Sequence, residues 1–485
     1  MLVATAPASA SPLTIISGAA LVRDLRAGRA VIHEGVRVKG PVELSAADSI
    51  RAVFRCRVCT FDSAVSAPDA SFERVVDLSG STFTRSVNFR GTTFHGPTLF
   101  RKAFDEGDGR VADRGTSFAG RVDFSLATFS DFASFSGATF AALADFRDAR
   151  FQDASFAPST FEEEAAFERT TFTGAAIFDH GRFYKIARFA DAEFRNRANF
   201  SQALFLGGEV FSRAQFGNSA SFLNATLSTP SGASARFDDV VAARDLDFTF
   251  VDFSTIGDST KDVAPIADFS YLVSGGSLLF RDTTFEPGRT IVVQRLQARD
   301  LVLDVGAVSQ IKREDDQTAV LEMIEESGKV RGDLAAANDA HYALRAERSK
   351  DYSTVGRGLD YVFYRGIAGY LVRPMRPLVI LVCLVAALSL ASVVRARRRR
   401  QSDARTAGGR LRGRRIWAAT TGRCGEFLTC FLDKLNLVKP QRDTGESAAV
   451  GRRLESFAYR LLVVCAILGL ANSNPTLRQM VETLF

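Results

Sequence analysis

Cysteine and histidine are the residue types in this 485-residue chain that most readily support catalysis or metal binding. Cys56 and Cys59 form a CxxC pair, but a tetrahedral zinc site of this kind needs a second pair, and the sequence has none. The four histidines are far apart in the sequence: His33, His95, His180 and His341. No serine or cysteine nucleophile pattern accompanies them. We therefore expect the two cysteines to be core residues rather than a redox or metal site.

Other chemistry-bearing motifs are missing from the sequence as well. It contains no phosphate-binding loop, no GxGxxG fingerprint and no metal-binding helix motif. The acidic run Glu162–Glu164 is most simply a solvated turn, although it could also belong to an acidic face. We expect no catalytic residue, no metal and no cofactor, and the sequence therefore predicts a protein that is not an enzyme.

Phenylalanine sets the pattern of the chain, with 41 residues against 8 Tyr and 1 Trp. In FADAEFRNRANFSQALF, residues 189–205, the rings are Phe189, Phe194, Phe200 and Phe205, in steps of five and six. The same spacing runs from Phe118 to Phe222, and a small residue usually lies two positions before each ring. This period fits neither a helix nor a simple strand.

A chain that turns through about 90° every five residues would make a square coil. Each side would contribute one ring and one small residue to the interior, and successive coils would stack as parallel strands ~4.8 Å apart. A six-residue step fits as a one-residue bulge at alternate corners. The four rings of residues 189–205 are then four consecutive sides of one core.

The sequence here resembles the pentapeptide-repeat family, whose motif has a small residue, a polar residue, a central Leu or Phe and two polar or small residues. Ala198–Gln202 and Ala149–Asp153 fit this motif directly. The resemblance covers about Phe72 to Leu227, with weaker versions at 28–46 and 276–305 and an irregular stretch at 228–268. It implies a mainly β fold, a right-handed quadrilateral β-helix of about ten coils and roughly 50 Å, and says little about function.

The sequence predicts four regions: an N-terminal tail (1–27), the β-helix (28–310), a helical cap or connector (311–365) and a membrane region (366–485). From about Asp315 the ring period stops, and apolar spacing indicates one or two amphipathic helices broken near Gly332–Asp333. We expect them to cover the open end of the β-helix, because repeat stacks need a covered terminal coil. An oligomerising helix is the alternative.

Two apolar runs predict about two transmembrane helices, at 377–394 and 457–471. The loop between them, 395–456, holds 16 Lys/Arg against 6 Asp/Glu. We expect its first arginines to contact anionic lipid headgroups: Arg395, Arg397, Arg398, Arg399 and Arg400. The positive-inside rule places this loop in the cytoplasm and the β-helix outside, whereas the start of the chain lacks a secretory signal pattern. A shallow hairpin in the inner leaflet satisfies both, so we expect a bacterial inner-membrane protein with a cytoplasmic β-helix.

The segment YVFYRGIAGYLVRPMRPL (361–378) adds a second resemblance, to bacterial pentapeptide-repeat proteins with a two-helix, potassium-channel-like module. That family has a T-x-G-Tyr/Phe-G filter between the helices, and the nearest match here is ATTGRCGEF (419–427). Arg423 would place a cation where carbonyl groups must replace a cation's water. The layout therefore looks channel-derived, with the filter absent.

The favoured function is a membrane-anchored, non-enzymatic scaffold, and the alternative is a channel-like protein with a β-helix regulatory domain. A DNA mimic that protects topoisomerases is less favoured, because residues 41–310 hold 35 Asp/Glu against 27 Lys/Arg. The expected partners are a lipid membrane and an unidentified protein, with a homo-oligomer left open and nucleic acid not expected. The contacts would come from residues between the rings, such as Asp191, Glu193, Arg195, Arg197 and Gln202.

Overall fold

The computed structural model describes residues 14–103, 115–257 and 264–351, and beyond these four isolated positions: Arg357, Val379, Cys383 and Val394. The chain divides into two compact units, residues 1–327 and 328–485. The predicted membrane helices at 377–394 and 457–471 therefore lie outside the described residues, except for the isolated positions in the first of them. The basic loop with Arg395 and Arg397–Arg400 also lies outside the described residues. Among the described residues, no helix is long and apolar enough to cross a bilayer.

The first unit is a β-solenoid with four faces, which we number I to IV in the order in which the chain passes them. All strand pairs are parallel, and each strand pairs with the strand one coil away. Face I has twelve described strands: Ile15–Ser17, Arg37–Lys39, Thr60–Phe61, Thr82–Phe83, Ser117–Phe118, Thr139–Phe140, Thr160–Phe161, Arg182–Phe183, Leu204–Phe205, Thr226–Pro230, Asp252–Ile256 and Thr284–Phe285.

Face II has eleven described strands: Val42–Glu43, Val65–Ser66, Val87–Asn88, Val122–Asp123, Ala144–Asp145, Ala165–Ala166, Ala187–Arg188, Glu209–Val210, Ala235–Arg236, Ala267–Asp268 and Ile291–Val292. Face III begins with nine short strands: Ser49–Ile50, Ser71–Phe72, Thr93–Phe94, Thr128–Phe129, Arg150–Phe151, Thr171–Phe172, Glu193–Phe194, Gln215–Phe216 and Val241–Ala242.

Face IV begins with ten strands: Val31–Glu34, Phe54–Arg57, Val76–Asp77, Thr98–Leu99, Ala133–Ser134, Ala154–Ser155, Ala176–Ile177, Ala198–Asn199, Ala220–Ser221 and Leu246–Asp247. In the last two coils, the longer strands Val273–Phe280 and Gln297–Leu303 run across both faces III and IV. Faces III and IV therefore form one sheet at this end of the solenoid, and the corner between them is lost.

Columns of phenylalanine fill the solenoid. Phe189, Phe194, Phe200 and Phe205 are fully buried, and each belongs to a different face. Within a column the rings are nearly parallel, as for Phe183 and Phe205, whose centroids are 4.6 Å apart. Across the axis they meet edge to face: Phe189 and Phe200 are 5.4 Å apart with planes at 82°. Both arrangements are favourable for aromatic rings, so one residue type can satisfy contacts along and across the core.

The two step lengths correspond to two kinds of corner. The five-residue steps turn from face II to III and from face IV to I, and their turn residues have positive φ, such as Asp191 (58°) and Gln202 (57°). The six-residue steps turn at the other two corners, as between Phe194 and Phe200. Buried hydroxyls also link successive coils at corners: Thr170 Oγ1 donates to the Phe146 carbonyl over 2.8 Å and Ser81 Oγ to the Cys56 carbonyl over 2.8 Å.

The N-terminal end corrects one prediction. Residues 1–27 were predicted to be a tail, but residues 15–26 form the first strand of face I and helix α1, Gly18–Arg26. Leu21, Val22 and Leu25 form the buried side of α1. Gly18 approaches the backbone of Gly40 and Pro41 so closely that a β-carbon there would lie 2.4 Å from a carbonyl oxygen. A nine-residue helix has too few apolar positions to stand out in the sequence.

Helices follow the last coil: α2, Val305–Val308; α3, Glu314–Arg331; α4, Leu334–Arg348; and a 3₁₀ turn, Ser349–Asp351. The chain breaks between α3 and α4 at Gly332, with a φ of 75°, and Asp333 caps α4 by accepting from the Ala336 amide. Within the first unit, α3 contacts the last strand, because Leu301 N donates to Ser327 Oγ over 2.8 Å.

Candidate interaction surface

Because rings fill the interior, the outward side chains carry the chemistry of the solenoid. One column of them follows the corner between faces II and III, and we call it the corner ladder: Asp148, Arg169, Asp191, Arg213 and Asp239. All five have positive φ. Arg169 binds Asp148 through two hydrogen bonds of 2.7 and 2.8 Å, and Arg213 binds Asp191 through two of 2.7 Å. The positions repeat once per coil, so acid and base alternate along the axis.

The ladder pairs are exposed and thus contribute little to stability. The hydrogen bond from Arg169 is the main cause that lowers the pKa of Asp148, and the one from Arg213 likewise lowers the pKa of Asp191. Burial opposes both effects. Both carboxylates are therefore ionised, and an arginine of the neighbouring coil balances the charge of each.

Face II carries a more buried cluster around Asp145, whose side chain is 1% exposed. Arg147 donates to it through Nε, over 2.9 Å to Oδ1, and through Nη2, and Arg121 Nη2 lies 3.3 Å from Oδ2. Burial alone would raise the pKa of Asp145, but the hydrogen bonds and charges of the two arginines lower it. Glu164, from the acidic run, accepts from Arg188 of the next coil over 2.8 Å. The acidic run therefore has an arginine of the next coil beside it and does not continue as an acidic face.

The structure distributes the residues that were predicted to contact a partner. Asp191 is part of the corner ladder, whereas Glu193 and Arg195 flank Phe194 on face III and bind each other over 2.9 Å. Arg197 is exposed at the corner between faces III and IV, and Gln202 is exposed at the corner between faces IV and I. Four of these residues therefore lie along face III and its two corners, and Gln202 lies at the next corner.

The histidines lie on separate elements. His33 is in the first strand of face IV, His95 follows a strand of face III, His180 is at a corner beside Asp179 and His341 is in α4. Among the described residues, no three His, Cys, Asp or Glu side chains are grouped so that they could hold a metal ion.

Cys56 and Cys59 are both buried, in the slots of a ring and of a small residue. They are also bonded to each other as a disulfide, which closes the corner between faces IV and I. The sequence placed them in the core but did not predict this bond.

Glu209 is a buried ionisable residue that was not predicted from the sequence. Glu209 occupies the small-residue slot of face II, where its neighbour one coil away is Ala187. It is 1% exposed, and neither carboxylate oxygen has a hydrogen-bond partner within the described part of the chain. Burial raises its pKa to about 8. The sequence did hold the signal, because Glu209 lies two positions before Phe211, where other repeats have Ala.

A shallow depression of about 590 Å³ lies beside α1 and is lined in part by Val22, Arg23, Arg26 and Glu43. Arg26 is already bound to Asp48 by Nε at 2.7 Å and Nη2 at 2.9 Å. The depression therefore offers few convergent polar groups for a small ligand.

Comparison with known proteins agrees with this architecture. Residues 114–160 match a family described as pentapeptide repeats (9 copies). No curated protein and no solved structure matches the chain. The matched segment contains two coils with a buried phenylalanine on all four faces, and further coils of this kind lie on both sides of it. The chain thus contains pentapeptide repeats folded as a β-solenoid.

Proposed function

We propose that this protein is a membrane-anchored, non-enzymatic scaffold whose β-solenoid binds a protein partner. The observation that supports it most is the corner ladder, which presents alternating Asp and Arg side chains at regular spacing on a rigid core. Such a surface can be recognised by charges with the same spacing, because complementary potentials confer specificity and orient the partner. A packed aromatic interior fixes the spacing without contributing chemistry of its own.

The anchoring part of the proposal rests on the sequence of the C-terminal region. Two apolar runs flank a loop with 16 Lys/Arg against 6 Asp/Glu. Polybasic segments near a membrane surface are attracted to anionic lipids by about 1 kcal/mol per basic residue. Arg395 and Arg397–Arg400 follow the first apolar run directly and are the residues that we expect to contact headgroups. The solenoid would then be held at the cytoplasmic face of the inner membrane.

Two experiments test the two parts separately. Deletion of residues 372–485 is expected to move the protein from the membrane fraction to the soluble fraction, and an unchanged location would refute anchoring. For the partner, in-cell cross-linking should capture a protein with the wild type and lose it with Asp191→Arg. Glu163→Arg is the matched control, because this exposed acid lies outside the ladder. Equal capture by both variants would remove the ladder as the contact.

A DNA mimic that protects topoisomerases is not favoured by the surface of the solenoid. Mimicry of duplex DNA needs a dense acidic face, whereas Asp145, Asp148, Asp191 and Glu164 each have an arginine within 3 Å. Inhibition of DNA gyrase supercoiling by residues 1–310 would support the DNA mimic instead of the scaffold.

A further inference from the structure

The corner that contains Cys56 and Cys59 differs from the other described corners of the solenoid. It connects the second strand of face IV to face I, and a disulfide closes it, the one disulfide within the described residues. At the same two slots in later coils, the structure has Leu78 with Ser81 and Phe135 with Ala138. A cystine thus replaces a large apolar residue and a small residue in the core.

The slot is tight. Cys56 is 0% and Cys59 is 1% exposed. Ser81 Oγ accepts from the Cys59 amide over 3.0 Å and donates to the Cys56 carbonyl over 2.8 Å, so the next coil holds both ends of the corner. Two sulfur atoms that are no longer bonded must move apart to the separation of non-bonded atoms, roughly 3.5–4 Å. A packed interior accommodates such an expansion only by shifting its backbone.

The backbone of this corner is also under strain. Val58, between the two cysteines, has a φ of 54° and is the one β-branched residue with positive φ in the described part of the chain. The same turn position holds Gly80 and Gly137 in later coils, with φ of 68° and 72°. Branched side chains disfavour this region, at a cost on the order of 1–3 kcal/mol. The disulfide and the hydrogen bond from Val58 N to the Ser79 carbonyl together hold Val58 in this conformation.

We propose that the Cys56–Cys59 disulfide is a redox-controlled staple, whose reduction loosens the N-terminal coils while the rest of the solenoid stays folded. The position of the corner limits the response to this end. Of the described elements, only the strand Ile15–Ser17, α1 and the coil of residues 31–50 precede the corner. Its backbone is bonded to the first coil, for example by Gly35 N to Arg57 O at 2.9 Å, and to the next coil, for example by Val58 N to Ser79 O at 2.8 Å.

The reductant is a dithiol, which a transient opening of the corner admits. Its thiolate attacks one cysteine sulfur, a mixed disulfide forms and the other cysteine leaves as a thiolate. The second thiol of the reductant then displaces the first cysteine. Two electrons and two protons pass to the protein, which gains two thiols, while the reductant becomes a disulfide.

Hydrogen–deuterium exchange of the full-length protein, after oxidised or reduced dithiothreitol, tests the staple. We expect peptides from residues 31–61 to exchange at least about tenfold faster in the reduced protein, and peptides from residues 128–216 to be unchanged, because opening is local. Equal exchange of residues 31–61 in both states would overturn the proposal, as would two free thiols at Cys56 and Cys59 in the oxidised protein.

Two variants separate the staple from other effects of dithiothreitol. Cys56→Ala/Cys59→Ala should exchange at the same rate with both reagents, because it lacks the disulfide. It keeps the other four cysteines, so it also reports any effect of dithiothreitol on them. Val58→Gly, which keeps the disulfide and removes the strain, should reduce the difference between the two states. A difference that persists in the double variant would assign the redox response to another cysteine and reject the staple.

Discussion

At the scale of single residues, Glu209 is the clearest departure from the repeat. Its slot holds Ala in the neighbouring coils, and an unpartnered buried carboxyl group is destabilising by its lost hydration. Burial raises its pKa to about 8 from an ordinary value of 4.5. Well below pH 4.5 the group is protonated in both states and does not contribute to the pH dependence of stability. Between about pH 4.5 and 8 the unfolded chain ionises while the folded chain does not, so stability falls as pH rises.

Glu209→Ala is therefore expected to stabilise the protein at pH 8, by roughly 2–5 kcal/mol in the free energy of unfolding. It should also remove a decline of about 1.4 kcal/mol per pH unit between pH 5 and 8. Urea unfolding of both proteins over this pH range measures the effect. Glu163→Ala, at an exposed acid, is the control and should leave the profile as in the wild type. A destabilised Glu209→Ala protein would mean that the carboxyl group has a partner.

Asp145 illustrates the opposite case, a buried acid with a full set of donors. Its pKa is lowered in the folded protein, so its contribution to stability is present above about pH 3.8, the ordinary value, and is lost as pH falls through the lower folded value. Asp145→Asn should cost roughly 1–3 kcal/mol at neutral pH, since the half-exposed Arg147 and Arg121 lose their shared partner. Arg121→Ala, which leaves Arg147 in place, should cost less than about 1 kcal/mol. Thermal unfolding at pH 7 compares the two.

At the scale of elements, the spacing of Phe was sufficient to predict the coil, because each side of a coil has one inward position for a ring. The estimate of ten coils was too low, since face I has twelve strands. The missing coils use Val, Ile and Leu in the ring slots, as at Val38 and Val293, and these residues do not mark a period as Phe does. Two further features were not predicted: the face II strand of the first coil and the strands that merge faces III and IV. Both depend on pairing with a neighbouring coil, which is not visible in a local sequence pattern.

The ring columns predict how a coil responds to a lost ring. Phe167 stacks between Phe146 at 4.8 Å and Phe189 at 4.9 Å. Phe167→Ala should cost roughly 3–5 kcal/mol, because the cavity cannot collapse between two fixed coils. Phe167→Leu should cost much less, since Leu227 fills an equivalent slot. Phe132, which is 38% exposed at a corner, provides the matched control, and Phe132→Ala should be nearly neutral. Equal losses at Phe167 and Phe132 would contradict a core organised in columns.

At the scale of the whole molecule, charge is distributed unevenly along the chain. Residues 41–310 have an excess of eight acids, whereas the complete chain has a net charge of +6. Twelve strands at ~4.8 Å make face I roughly 55 Å long. If the basic region binds anionic lipid, the same lipid surface repels the acidic solenoid within a Debye length of about 8 Å. The solenoid of a lipid-bound protein is thus expected to project from the membrane rather than lie on it.

If the protein is anchored as proposed, two protease sites determine the side of the membrane on which the solenoid lies. One is inserted between Ser231 and Gly232, an exposed turn of the solenoid, and the other between Asp403 and Ala404 in the basic loop. A hairpin lying in the inner leaflet keeps both sites in the cytoplasm, so both should resist protease in intact spheroplasts and be cleaved after lysis. Cleavage of the loop site alone would mean two spanning helices with a cytoplasmic solenoid. Cleavage of the solenoid site alone would mean that the basic loop decides the topology, as the positive-inside rule requires, and that the partner lies outside the cytoplasm.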